Sequence, residues 1–247
     1  MSDCVEDYRE SHTREGMGRS YHKQFVDGGI RSVYWMLEKE FLDGVTLPRR
    51  STDRALPVLD FACGTGRVSG FLHSLGCSVV GVDISNSMLE AAESFEPGPN
   101  YLQMDLTVEN LPIEAVPQEG QFDVITAFRF FPNAQSQLRQ EAISALAPLL
   151  RRNGLLIVSH HRNPRSIWRR LTISLGGPKC DLDDRRLVEM IGAHGFSLAS
   201  RKSIGFLPLR HKWKIPTGVV WVVEKALSAI LGRSTLGQTN LYCFVKE

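Results

Sequence analysis

VLDFACGTGRVSGFL, residues 58–72, decides the fold. A short apolar run carries an acid, Asp60. Two glycines, Gly64 and Gly66, follow, and then a helical pattern begins. Strand, glycine turn and helix in that order open a parallel β-α-β unit. At such a turn glycine lets the backbone approach a ligand closely, because no Cβ intervenes and positive φ is accessible. The plainer reading is an ordinary tight turn with no ligand.

Downstream the alternation repeats. SVVGVD (78–83) is β-branched and ends in Asp83, with Ser85 placed to cap a helix running to about Phe95. NYLQMD (100–105) and QFDVITAF (121–128) read as further strands, followed by a helix from about Gln135 to Arg151. Asn153-Gly154 turns the chain into LLIVSHH (155–161). A helix over about 182–194, a strand FSLASRKSIGF, an amphipathic helix at about 217–231 and a closing strand TNLYCFVKE complete the count of seven strands. Near-continuous apolar strands alternating with helices predict an α/β fold, a doubly wound, mostly parallel sheet covered on both faces. The first fifty residues read as a polar start followed by a helix, with Tyr34, Leu37, Phe41 and Leu42 at three- and four-residue spacing.

Open α/β sheets bind ligands beyond the carboxyl ends of their strands. Asp60 to Gly66, Asp83, Asp105, Ala127 to Phe131 and Ser159 to His161 should therefore lie along one rim. Asp83, at the end of the second strand, is placed to accept two hydrogen bonds from a ribose diol. A dinucleotide asks for a third glycine at a fixed place, but the chain reads Gly64-Thr65-Gly66-Arg67-Val68-Ser69-Gly70, with that glycine one position late. Asp60 would sit poorly beside a pyrophosphate and well beside an amine.

Several motifs together resemble the class I S-adenosylmethionine-dependent methyltransferases. VLDFACGTGR looks like their first motif, GVDISNSMLEAAE the second, QMDL the third, FDVITAF the fourth and LRRNGLLIVS the fifth, over about residues 56–160. The resemblance implies a Rossmann-like seven-stranded sheet with an antiparallel last strand. It also implies S-adenosyl-L-methionine as cofactor and S-adenosyl-L-homocysteine as product. Carried over, Gly64 and Gly66 would face the methionine part, with Asp60 near its amine and Ala62 in the same turn. Asp83 would hold the ribose. Ile84 and Met104 would sandwich the adenine beside Met88, with Asp105 accepting from its amine. Ala127 and Phe128 would line the passage to the methyl group. Residues 1–50 would form a helical lid with Tyr21 as a contact, and residues 51–247 the methyltransferase domain, with an insertion at about 162–180. Cys63 stands where the family often has Gly; being small, it changes little.

Methyl transfer needs a positioned nucleophile and, for a hydroxyl, removal of a proton. His161 is the candidate base, since a histidine with a pKa near ~6.5 accepts a proton at neutral pH. His160, Arg129, Phe131 and Trp168 are candidates for the acceptor's wall, Arg129 through an anionic or carbonyl group. The Asn/Asp-Pro-Pro-Tyr/Phe motif of nucleobase N-methyltransferases is absent after the fourth strand, where the chain reads AFRFFPNA. A hydroxyl oxygen of a small molecule is the expected acceptor, with a small amine, RNA, or a catalytically silent cofactor-binding module as alternatives.

The 247 residues carry a formal net charge of +2, weak for a dedicated nucleic-acid binder. HRNPRSIWRR and RHKWK interleave aromatic and basic residues, but such runs are more often solvated faces. No second and third acids accompany Asp105 at the ends of strands four and five, so no metal is expected. The five cysteines form no CxxC pair, which suits a cytoplasmic compartment. The polar N-terminus has no signal-like apolar core, and GVVWVVEKALSAIL, interrupted by Glu224 and Lys225, is too short to span a bilayer.

Overall fold

The structure is a computed structural model that describes residues 8–9, 17–26, 29–174, 180–208 and 216–247. The strands are β1 (Pro57–Phe61), β2 (Ser78–Asp83), β3 (Asn100–Gln103), β4 (Phe122–Phe128), β5 (Leu150–His160), β6 (Phe196–Ile204) and β7 (Thr239–Lys246). The helices are α1 (Met17–Val26), α2 (Ile30–Thr46), α3 (Arg67–Ser74), α4 (Asn86–Phe95), α5 (Ser136–Leu149), α6 (Ile167–Ser174), α7 (Asp184–Gly192) and α8 (Thr217–Leu231). All seven expected strands form. RHKWK lies outside the described residues, as does Cys4.

The sheet order is β3-β2-β1-β4-β5-β7-β6. β1 pairs in parallel with β2 and β4, β2 with β3, and β4 with β5, whereas β7 runs antiparallel to both β5 and β6. The order reverses between β1 and β4, so the carboxyl ends of five parallel strands face one crevice.

Period-two alternation sends neighbouring side chains to opposite faces. Val58, Val124, Leu155, Ile157, Leu241 and Cys243 pack with Leu37, Phe41 and Leu42 of α2 and with Val68 and Leu72 of α3. Leu59, Ile125, Leu156, Val158, Tyr242 and Phe244 pack on the other face with α5 and α7. α1 is pressed onto α4: a Cβ on Gly18 would stand 2.3 Å from the Ser87 carbonyl oxygen. His22 also stacks on Phe95 at 4.2 Å between ring centroids.

One local expectation fails. The Ser85 hydroxyl does not cap α4. The Asp83 carboxylate instead accepts from the Ser85 N–H at 2.9 Å, because it already points across the turn.

Candidate active site

The strand ends surround a cavity of about 310 Å³. β1 leads into a turn in which Ala62 (φ 52), Gly64 (φ 56) and Gly66 (φ 72) all take left-handed backbone. The turn is closed by Gly66 N–H donating to the Cys63 carbonyl at 3.1 Å. It is tied to the next strand by Gly64 N–H, which donates to Asp83 Oδ2 at 2.8 Å. Asp83 is thereby held at the cavity wall by two amides. A carboxylate offers about four lone-pair positions, so this is compatible with also receiving a ribose diol.

The two glycines do different work. A Cβ on Gly64 would meet nothing within 4 Å and would stand in open space. A Cβ on Gly66 would stand 2.3 Å from Tyr101 Oη and 2.9 Å from Ala92 Cβ. Gly64 therefore offers bare backbone to a ligand, whereas Gly66 makes room for the packing of β3 and α4 behind the turn.

Asp60 lines the same cavity but is only 1% exposed. It accepts from the Ser69 and Thr126 hydroxyls, each at 2.6 Å. Burial pushes its carboxyl up to about 6, against the pull of those hydroxyls and of Arg67. A ligand amine placed here would favour the carboxylate. Asp105 accepts from Thr107 Oγ1 at 2.6 Å and from Arg9 Nε at 2.8 Å. Burial raises it, but the hydrogen bonds from Thr107 and Arg9 outweigh burial and hold it below the usual carboxylate value.

Tyr21, Ile84, Met88, Phe128, Arg129 and His161 also line the cavity, as their positions on the rim predict. His161 is half-buried, and its Nδ1 has no hydrogen-bond partner among the described residues. Burial, and then the charge of Arg129, push its pKa well below the ordinary value, so the neutral imidazole prevails.

Five other expected site residues lie away from the cavity surface. Ala127 and Phe131 are fully buried, because β4 turns the first toward α5 and the chain after β4 folds the second inward. Met104 is 9% exposed and packs in the same core. His160 points from β5 into the opposite layer to His161, where its Nε2 meets the Leu182 carbonyl at 2.9 Å. Trp168 donates from Nε1 to the Phe206 carbonyl at 2.6 Å, which ties α6 to the loop after β6.

Several residues at the cavity carry no readable signal in the sequence. Tyr8, Arg9 and Arg31 reach it from the N-terminal segment. Arg67, the first residue of α3, is 7% exposed, pairs with Glu38 of α2 at 2.7 Å and stacks on Phe25 and Trp35 at 4.4 and 4.3 Å. Among the described residues no group of three or more His, Cys, Asp or Glu side chains is placed to hold a metal ion. No described helix is long and apolar enough to cross a membrane.

The cavity fits an adenosyl amino acid. It has bare backbone at Gly64, a carboxylate at the end of β2, apolar side chains at Ile84 and Met88, and a buried carboxylate at Asp60. Comparison with known proteins agrees. Residues 58–154 match the family model described as a methyltransferase domain. An uncharacterized methyltransferase of Synechocystis is 32% identical over 48% of this chain and 54% of its own length. A ubiquinone biosynthesis O-methyltransferase of Pelagibacter ubique is 31% identical over 44% and 45%. A glycine N-methyltransferase of Oryctolagus cuniculus is 33% identical over 42% and 40%. The matches span between 24% and 54% of the length of these and similar curated relatives. Among solved structures, the magnesium protoporphyrin IX methyltransferase of Synechocystis with bound SAH superposes with a TM-score of 0.61 at 19% identity, covering 94% of this chain and 95% of that one. A TehB-like methyltransferase of Corynebacterium glutamicum gives 0.59 at 16%, covering 93% and 95%. Likeness at these identities speaks to the fold, and the motifs in residues 58–154 carry the rest. The strand order, the glycine turn tied to Asp83 and the family match converge: residues 58–154 match a methyltransferase domain, and the chain has the fold of the S-adenosylmethionine-dependent methyltransferases.

Proposed function

We propose that this protein transfers the methyl group of S-adenosylmethionine to a hydroxyl oxygen of a small molecule. The observation that carries this reading is the continuity of one cavity along the sheet. It runs from Asp83 and Ile84 after β2, past Gly64 after β1, to Phe128 of β4 and His161 after β5. The cofactor of this family, S-adenosylmethionine, supplies an electrophilic methyl on a sulfonium when bound. The chain's own residues supply position and dryness. Gly64, Asp60 and Asp83 orient the amino-acid and ribose parts, Ile84 and Met88 exclude water from the adenine end, and Phe128 walls the transfer point.

The acceptor oxygen gains the methyl as the S–CH3 bond breaks, the sulfonium becomes a neutral thioether, and the hydroxyl proton leaves. His161 is in the proton-accepting form to take it and pass it to water. The described N-terminal residues act as the cover, since Tyr8, Arg9, Tyr21 and Arg31 line the cavity from that side. A net charge of +2 favours a small acceptor over nucleic acid. The similarity to a glycine N-methyltransferase supports a small amine as the second reading.

Titration calorimetry with S-adenosylhomocysteine, followed by a screen of hydroxylated and amino metabolites with labelled methyl donor, tests both. Micromolar binding and label on an ether oxygen are expected. His161→Ala should lower turnover with cofactor affinity unchanged. Folded protein that ignores S-adenosylhomocysteine would end the proposal, and equal turnover by His161→Ala would remove the base.

A further inference from the structure

Charge in the cavity is sorted by position in the sheet. Asp105, Asp83 and Asp60 stand at the ends of β3, β2 and β1, on the half that suits the cofactor. Arg129 and His161 stand beyond β4 and β5, where the acceptor must enter. Arg129 is held there against a conformational cost. Its φ of 63 is left-handed, which a side-chain-bearing residue adopts only when its surroundings impose it. The imposing groups are Ser159 Oγ, which accepts from the Arg129 N–H at 2.8 Å, and Asn133 Nδ2, which donates to its carbonyl at 2.7 Å.

The guanidinium so presented stands 5.2 Å from the centroid of Phe25 and makes no hydrogen bond or ion pair with any described residue. Arg31 and Arg67 approach the same ring at 5.6 and 4.4 Å. Glu38 neutralises Arg67. Arg31 is pushed below its usual value by burial and then by Arg129, and His161 is lowered by the same two causes in the same order. A planar guanidinium at a cavity wall matches a carboxylate through two parallel hydrogen bonds.

We infer that Arg129 holds a carboxylate of the methyl acceptor, so that the substrate is a small hydroxy acid. This rests on the methyl-transfer reading above. The bound carboxylate pairs with the Arg129 guanidinium, which has no ion-pair partner among the described residues, and it eases protonation of His161 at the moment the hydroxyl proton leaves.

The test uses the full chain saturated with S-adenosylhomocysteine, with benzoate, phenyl phosphate and benzyl alcohol as probes in ligand-observed NMR. Benzoate should bind more tightly than the other two. Arg129→Gln should weaken it about tenfold or more, with Arg129→Lys in between and S-adenosylhomocysteine affinity unchanged, since a fork of charge-assisted hydrogen bonds is lost. Circular dichroism checks that both variants fold. Absent benzoate binding, equal binding of benzyl alcohol or phenyl phosphate, or an indifferent Arg129→Gln would each overturn the inference. A fall in S-adenosylhomocysteine affinity with benzoate unmoved would assign Arg129 to the cofactor's own carboxylate and overturn it too. Failure of the parent to bind S-adenosylhomocysteine would instead strike the methyl-transfer reading itself.

Discussion

The Asp83 carboxylate accepts the Gly64 N–H at 2.8 Å, joining the end of β2 to the glycine turn after β1. Nineteen residues apart in sequence, the two groups form one wall of the cavity. The carboxylate both shapes the turn and faces the ligand.

Asp83→Ala should therefore weaken S-adenosylhomocysteine binding by about 1.5–3 kcal/mol, the worth of charge-assisted hydrogen bonds. Calorimetry reads this directly, with the circular dichroism of the variant unchanged. An unaltered dissociation constant would contradict the ribose assignment.

Gly64→Ala and Gly66→Ala should part company. Both force a left-handed residue and should lose about 1–2 kcal/mol of stability for that reason. Gly66→Ala adds a clash with Tyr101 and Ala92, worth roughly a further 1–3 kcal/mol. Gly64→Ala instead puts its methyl into open space at the ligand's place, so it should lose cofactor affinity more than stability. Urea midpoints and calorimetry on the two variants separate these losses.

Glu38→Gln should be costly. It leaves Arg67 buried without its carboxylate, although the guanidinium keeps its contacts with Phe25 and Trp35. Breaking one partner of a buried pair costs about 3–5 kcal/mol. A thermal midpoint within 2 °C of the parent, against the several degrees expected, would show the pair to be expendable.

Asp60 makes stability depend on pH. Its folded value of about 6 lies above the ordinary carboxylate value near ~3.9, so between those limits the folded protein binds the extra proton. Folding is then favoured at the acid end, and this contribution fades as pH rises from about 4 through 6. Asp60→Asn removes it. The stability of the variant relative to the parent should rise by roughly 2–3 kcal/mol between pH 4 and pH 7, by urea unfolding at each pH. A constant difference across that range would mean the carboxyl is not raised.

How far a residue was legible tracks how local its cause is. Asp60, Gly64, Asp83 and His161 were readable because a strand end after an apolar run has a fixed place in a parallel sheet. Ala127, Phe131 and His160 share those strand ends, yet the pleat and the fold of the next loop send them to the core. Arg9 reaches Asp105 from 96 residues away, and no short pattern foretells that. Glu224 is the sharpest case. It interrupts an apolar helix, and it is fully buried because it accepts the N–H groups of Gly205, Phe206 and Leu207 at 3.1, 3.0 and 2.7 Å.

Alone, the amino-acid order determined the alternation of strands and helices, the glycine turn and the row of acids at the strand ends. Periodicity and backbone preference act over a few residues, and they leave their mark in composition. Only the tertiary structure decided which rim side chains face the cavity, how the N-terminal segment adds Tyr8, Arg9 and Arg31 to it, and that the Arg129 guanidinium stands there with no ion-pair partner among the described residues. Those outcomes depend on distant elements packing together, and neither burial nor electrostatic balance can be assigned until both partners have a place.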